Sequence, residues 1–364
     1  MKPLAYIHIG LEKTGTTTLQ EYFHINRDQL AQDKINYLKS PGHRNHTDLA
    51  AYAYDKTLGD LIVQKGLDTE ESKKAFRDAF IQRFNTEINS VPKNNHLLVS
   101  SEHLSSRVFS KNEIRKLIRL FSNHGYQVKV IVYLRRQDQY LLSTYSTWLK
   151  CGATAELNKK AYKRKRYDYL TLLEMWEEVV GRENIIAKIF ERRRMHNNDL
   201  IEDFMQILNT KTTADYSPVP SNLNKSLDMN KLLFLKLMNR IVPEAVDKQK
   251  NPLRGELISA LEQMPNYDKL QLPAELSEEI IEYYKEDNLT IRKKYFPALE
   301  GNLFNDQIKK ISNDKSGTSR LSREKLFDIL GSLWKYQQKE INHLKETCSN
   351  QQMKIAELTR HDPA

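Results

Sequence analysis

The chain has 364 residues, 39% of them hydrophobic, with 18 tyrosines and a formal charge of +10. That length can bury a full core, as one large domain or two smaller ones, and no apolar run approaches the ~20 residues needed to cross a bilayer. The two cysteines, Cys151 and Cys348, are too few for a disulfide framework and too isolated for a metal site, so a reducing, cytoplasmic setting is expected. The charge favours anionic partners but does not choose among a phosphorylated cofactor, an acidic glycan, nucleic acid and a membrane surface.

Leu4 to Ile9 is a short apolar run of strand type, interrupted by His8 and closed by Gly10. It runs straight into a loop and is read as a strand, not a signal peptide. Gly15 and Thr16, Thr17 and Thr18 then lead into a helical pattern with Leu19, Phe23 and Leu30 on one face. Strand, glycine-bracketed loop and helix start together present backbone N–H groups to an anion. Gly15 allows close approach, the threonines add hydroxyls and Lys13 adds charge. The order differs from the nucleotide-triphosphatase pattern G-x-x-x-x-G-K-[ST], because the lysine precedes the second glycine.

Further along, Ile35–Leu38 is a candidate strand, and helical patterns cover 47–56 and 70–89. Between them His43-Arg44-Asn45-His46 reads either as a polar loop capping a helix or as a contact to an acceptor. His96–Ser100 is a second buried strand, followed at once by the polar run Ser101-Glu102-His103. Ligands of open parallel sheets sit beyond the carboxyl ends of strands, which makes these residues candidates. Residues 111–124 form an amphipathic helix. Val128–Leu134 is nearly continuous in apolar residues, as for a strand buried on both faces. It ends in Arg135-Arg136, and a helix begins near Asp138 and carries Ser143.

Lys13-Thr14-Gly15-Thr16-Thr17 resembles the 5′-phosphosulfate loop of sulfotransferases that use 3′-phosphoadenosine 5′-phosphosulfate (PAPS). Arg135 with Ser143 eight residues later resembles the 3′-phosphate motif of the same family. The run Tyr169–Glu191 is similar to its bacterial members. The resemblance covers 1–20 and about 97–209 and is nearly absent after 230. It implies a three-layer, P-loop-like α/β fold with a mainly parallel central sheet. It implies PAPS as donor, held by Lys13, Thr14, Gly15, Thr16, Thr17, Thr18, Arg135 and Ser143, and no obligatory metal. It also implies a hydroxyl or amine acceptor, of carbohydrate type such as a polysaccharide or glycolipid. Lys13 would stabilise the departing phosphate. A base would take the acceptor proton, with His103 preferred, since a His-Leu pair follows the corresponding strand of the cytosolic enzymes, and Glu102 as alternative. Two other readings stay open: a P-loop kinase or hydrolase with Glu102 near Mg²⁺, and a non-catalytic assembly protein.

The basic stretch Lys159–Arg166 reads as a solvated face or as a flap over an anionic ligand. No nucleic-acid fold motif accompanies it, so nucleic acid is not expected as a partner. Asn224-Lys225-Ser226 is a weak candidate for a late 3′-phosphate contact, and 227–300 is largely helical. The α/β domain is expected over 1–305 and a linker over 306–320. Over 321–360, Phe327, Leu330, Trp334, Gln337, Ile341, Leu344, Cys348, Gln351, Ile355 and Leu358 fall on alternating three- and four-residue steps. This heptad register predicts a self-associating coiled coil and a homo-oligomer, against the alternative of a helix packed back on its own domain.

Overall fold

The computed structural model describes residues 2–56, 59–210, 215–220, 226–246, 249–266, 271–305 and 321–360, with side chains as far as 355. The expected linker 306–320 and residues 224–225 lie outside the described residues.

Five strands, β1 (Leu4–His8), β2 (Ile35–Tyr37), β3 (His96–Ser100), β4 (Gln127–Leu134) and β5 (Ile185–Ile189), form one sheet in the order β2-β3-β1-β4-β5. All neighbours are parallel, with Tyr6 beside Leu98 and Ile7 beside both Val99 and Val130. The most apolar strands are therefore the inner ones, as burial on both faces requires. β2 and β3 lie on one side of β1 and β4 and β5 on the other, so β1 marks the topological switch point where open α/β sheets place ligands.

Around the sheet stand α1 (Thr16–Ile25), α2 (Arg27–Gln32), α3 (Thr47–Ala53), α4 (Asp60–Gln64) and α5 (Glu70–Ser90). They are followed by α6 (His103–Arg107), α7 (Lys111–Ser122), α8 (Gln137–Lys150), α9 (Tyr169–Val180) and α10 (Leu200–Ile207). On one face Tyr6, Leu98, Ile131 and Tyr133 pack against Leu19 and Phe23 of α1 and Phe204 of α10. On the other, α7 and α9 cover β4. The apolar stripe of α7 (Ile114, Leu117, Phe121) is buried. Its start is fixed by a capping box in which Ser110 Oγ accepts from Glu113 N (3.2 Å) and the Glu113 carboxylate accepts from Ser110 N (3.0 Å). These are the three layers that the sequence predicts.

Beyond the sheet come α11 (Met229–Met238), α12 (Pro252–Gln263), α13 (Ala274–Tyr283), α14 (Lys285–Tyr295) and α15 (Arg323–Arg360). The chain packs as two compact units and crosses between them more than once, whereas the sequence reading draws a single boundary near 305. The first unit holds 1–141, 159–224 and 276–308, and the second 142–158, 225–275 and 309–364. In the second unit Leu149 of α8, Leu232 and Leu235 of α11, Leu261 of α12 and Ile329 of α15 share a core. Arg254, buried in α12, donates to the carbonyls of Leu149 (3.0 Å), Lys150 (2.7 Å) and Val242 (2.9 Å). It thereby satisfies helix-end carbonyls that would otherwise stay unpaired in the interior.

A candidate anion site at the centre of the sheet

The carboxyl ends of β1, β3 and β4 bring together the loop 9–15, residues 101–103 and Arg135. Pairing with β4 continues past the end of β1. Tyr133 N donates to Gly10 O (2.8 Å) and Leu11 N to Tyr133 O (3.3 Å). Gly10 has φ +106°, and a Cβ there would lie 3.1 Å from both Cα and Cβ of Glu102, so the glycine is what lets the backbone at Glu102 approach the loop. Thr14 is fully buried and its hydroxyl donates to Leu11 O (2.7 Å). The sequence reading counts Thr14 among the cofactor residues; its hydroxyl proton is engaged in closing the loop. Gly15, with φ +76°, is the N-cap of α1, and no side chain caps that helix. The first-turn N–H groups of Thr16, Thr17 and Thr18 have no intrahelical acceptor, and they carry the positive end of the helix dipole.

Arg135 reaches the same loop from β4. Its Nη1 donates to Lys13 O (2.8 Å), its own carbonyl accepts from Tyr169 Oη (2.7 Å), and its guanidinium lies 5.7 Å from the Phe190 ring centre. Its Nε is buried with no partner. Burial lowers its pKa, yet an arginine so placed stays charged. The adjacent Arg136 does different work, pairing with Asp138 through Nε (2.7 Å) and Nη2 (2.8 Å) at the start of α8. Ser143 lies further along α8, in the part that belongs to the second unit, where its carbonyl accepts from Thr147 Oγ1 (3.2 Å).

At the end of β3, both oxygens of Glu102 are held by amides. Oε2 accepts from Gln20 Nε2 (2.7 Å) and Oε1 from Asn45 Nδ2 (3.1 Å). Gln20 Nε2 also reaches Ser100 Oγ (3.3 Å), which bonds to His8 Nδ1 (2.8 Å). His46 clamps the same strand end, its Nδ1 accepting from Ser100 N (3.1 Å) and its N donating to Ser100 O (3.0 Å). Burial pushes the pKa of both His8 and His46 down to about 3, so both rings are neutral. Of the two readings of 43–46, His46 therefore serves the strand and Arg44 pairs with Glu21. Asn45, standing between them, is the residue that reaches Glu102.

His103 opens α6. Its Nδ1 is buried without a partner, and its pKa is lowered, first by burial. Nearby Arg107 pairs with Asp60 (2.6 Å) and with Glu12, whose other oxygen meets Arg166 Nη1 at 3.2 Å. Burial alone would raise the Glu12 pKa; Arg166 and Arg107 more than offset it and hold the carboxyl below its usual range. The basic stretch thus contributes Arg166 to the loop, while Lys163 lies over the rings of Tyr162 (5.6 Å) and Tyr283 (5.2 Å).

Sequence reasoning missed Gln20 and Asn45. Gln20 left one trace, a polar residue within the buried stripe of α1 beside Leu19 and Phe23. Asn45 left none.

No family model matches the chain. An uncharacterized protein of Archaeoglobus fulgidus is 34% identical over 112 residues, which are 31% of this chain and 30% of that protein. The match therefore spans under a third of the length of this curated relative. Among solved structures the chain is similar to a sulfotransferase from Alicyclobacillus acidocaldarius, with a TM-score of 0.45 and 12% identity over 81% of this chain and 96% of that one. It is also similar to the sulfotransferase domain of the curacin biosynthetic pathway, with a TM-score of 0.34 and 11% identity over 78% and 98% of the two chains. A structure of the PezAT toxin–antitoxin system of Streptococcus pneumoniae gives a TM-score of 0.29 and 14% identity over 72% and 85%. Among the described residues no helix is long and apolar enough to cross a membrane.

Proposed function

We propose that the chain is a PAPS-dependent sulfotransferase acting on a hydroxyl or amine, with a carbohydrate such as a polysaccharide or glycolipid as acceptor. The observation that carries this reading is the convergence at the ends of β1 and β4. There the uncapped N-terminus of α1 and a buried guanidinium, one of whose nitrogens has no partner, are tied to one loop through Lys13 O. A phosphate suits such a cradle. The lysine ahead of the second glycine distinguishes it from the triphosphatase loop.

When bound, PAPS supplies the sulfuryl group. Lys13 and the first-turn amides of Thr16, Thr17 and Thr18 hold the 5′ side and offset charge there. Arg135 takes the 3′-phosphate, the role that the sequence motif gives it. For the base we favour Glu102 over His103, reversing the sequence preference. The tautomer and orientation of a histidine base are set by the acceptor that holds its other N–H, and Nδ1 of His103 is buried without one. Glu102 is oriented by two amide donors, and each oxygen keeps a lone pair for a proton.

The test is a thermal-shift comparison of the desulfated product PAP, ATP with Mg²⁺, and buffer, followed by transfer of labelled sulfate from PAPS to candidate glycans. Stabilisation by PAP but not by ATP is the expected result. Stabilisation by ATP with Mg²⁺ alone would return the chain to the kinase or hydrolase reading.

A further inference from the structure

Helix α15 carries two apolar stripes that have different fates. Leu326, Ile329 and Leu333 lie on one edge and pack into the core of the second unit, and Tyr336 Oη meets Gln263 Nε2 at 3.4 Å. From Gln337 to Ile355 every residue is exposed. This outer segment is about 28 Å long, and the helix continues to Arg360. In proteins most helical stability comes from the packing of an apolar face rather than from propensity.

The second stripe runs the whole way. Phe327, Trp334, Ile341, Cys348 and Ile355 recur every seven residues, and Leu330 and Leu344 fall between them. Their exposure is 70% at Phe327, 62% at Trp334, 42% at Ile341, 60% at Leu344 and 61% at Ile355, and a contiguous exposed apolar stripe marks an interaction surface. We propose that this stripe is one half of a parallel, in-register, two-stranded coiled coil whose other half is α15 of a second copy of this chain.

Three features select a second copy, and in that orientation. Ile341 and Ile355 stand at positions where β-branched residues favour two strands, with leucine at the alternate positions. Gln337 and Gln351 occupy two of those alternate positions. In a parallel pair in register each meets its own counterpart and the amides can bond to each other. An antiparallel pair would set them against apolar layers, leaving buried amides unsatisfied. Glu340 and Lys345 flank the seam with the spacing that places each opposite the other's counterpart across a parallel pair, a self-complementary arrangement. Cys348 is a free thiol in the seam and would face Cys348 of the second copy. This inference does not depend on the proposed activity.

The experiment uses the full chain with Cys151→Ser, so that Cys348 is its sole thiol. Light scattering at micromolar concentration should give the mass of a dimer. Mild oxidation should join the two copies through Cys348, and Cys348→Ser should abolish the cross-link and keep the dimer. Ile341→Asp with Leu344→Asp should yield a monomer. Because both positions are exposed, that variant should keep the melting profile of the two units, which separates lost pairing from lost folding. A monomeric parent chain, or a dimer that survives the double substitution, overturns the proposal. A dimer that resists cross-linking at Cys348 overturns the parallel register.

Discussion

The loop after β1 and the outer half of α15 are both short, strongly patterned stretches, and they end in opposite situations. Loop 10–15 is engaged from every side: by backbone bonds to β4, by Thr14 on Leu11, by Arg135 on Lys13 and by Arg107 and Arg166 on Glu12. Residues 337–355 are exposed throughout. In the loop, order is produced by long-range contacts among strand ends, so one substitution disturbs several bonds at once and the ligand meets a preorganised cradle. In the outer helix only the helix's own backbone bonds are local to the segment, and single changes at its exposed positions are expected to leave the units alone. Four experiments sharpen or break this contrast.

The largest effect is expected at Glu102. Glu102→Gln should lower turnover by ~10²–10⁴-fold, the range of a lost general base, with PAP affinity measured by calorimetry staying within a few-fold. His103→Ala should cost less. If His103→Ala proves the more damaging of the two, the base is the histidine, and the orphaned Nδ1 is not the handicap argued above.

Next comes Arg135→Ala. Losing one charged hydrogen-bonding partner costs ~1.5–3 kcal/mol, so PAP should bind about one to two orders of magnitude more weakly. Discrimination between PAP and 5′-AMP should shrink with it. An unchanged preference for PAP would show that the 3′-phosphate is held elsewhere.

Acid stability follows from the two neutral buried histidines. His8 and His46 have folded-state pKa values of about 3 against an ordinary 6.5. Between those limits the unfolded chain binds more protons than the folded one. Their contribution is thus complete above pH 6.5 and is lost as pH falls toward 3, by up to about 1.4 kcal/mol per pH unit for each ring. Urea midpoints measured from pH 7 to 4 should fall accordingly, and His46→Gln should flatten the slope. A flat profile in the parent chain would mean that the rings are protonated and paired in the folded state.

The smallest effect is expected in the outer helix. Ile341→Asp alone should change the unfolding free energy of the units by less than ~0.5 kcal/mol, as for surface positions without a special role. Calorimetry showing a larger loss in a monomeric sample would mean that the outer helix contacts its own chain.

Much of this architecture was legible in the sequence. The inner strands β1, β3 and β4 match their apolar runs to within a residue. The loop glycines and the arginine closing β4 stood out for the same reason, since their residue types answer to local backbone geometry. The fivefold repeat of the seam in α15 is likewise a property of spacing alone. Thr14 turning inward, Gln20 and Asn45 gripping Glu102, Arg166 reaching Glu12, and the chain's repeated crossing between two units left little or no local trace. Each depends on which distant segment the sheet order brings alongside: Asn45 and Glu102 are 57 positions apart, and Arg166 and Glu12 are 154 apart. Local sequence determined the elements, because helix and strand periods are set by neighbouring residues. Only the tertiary structure decided which polar groups meet, because a buried polar atom takes whatever partner the packing places within hydrogen-bond reach.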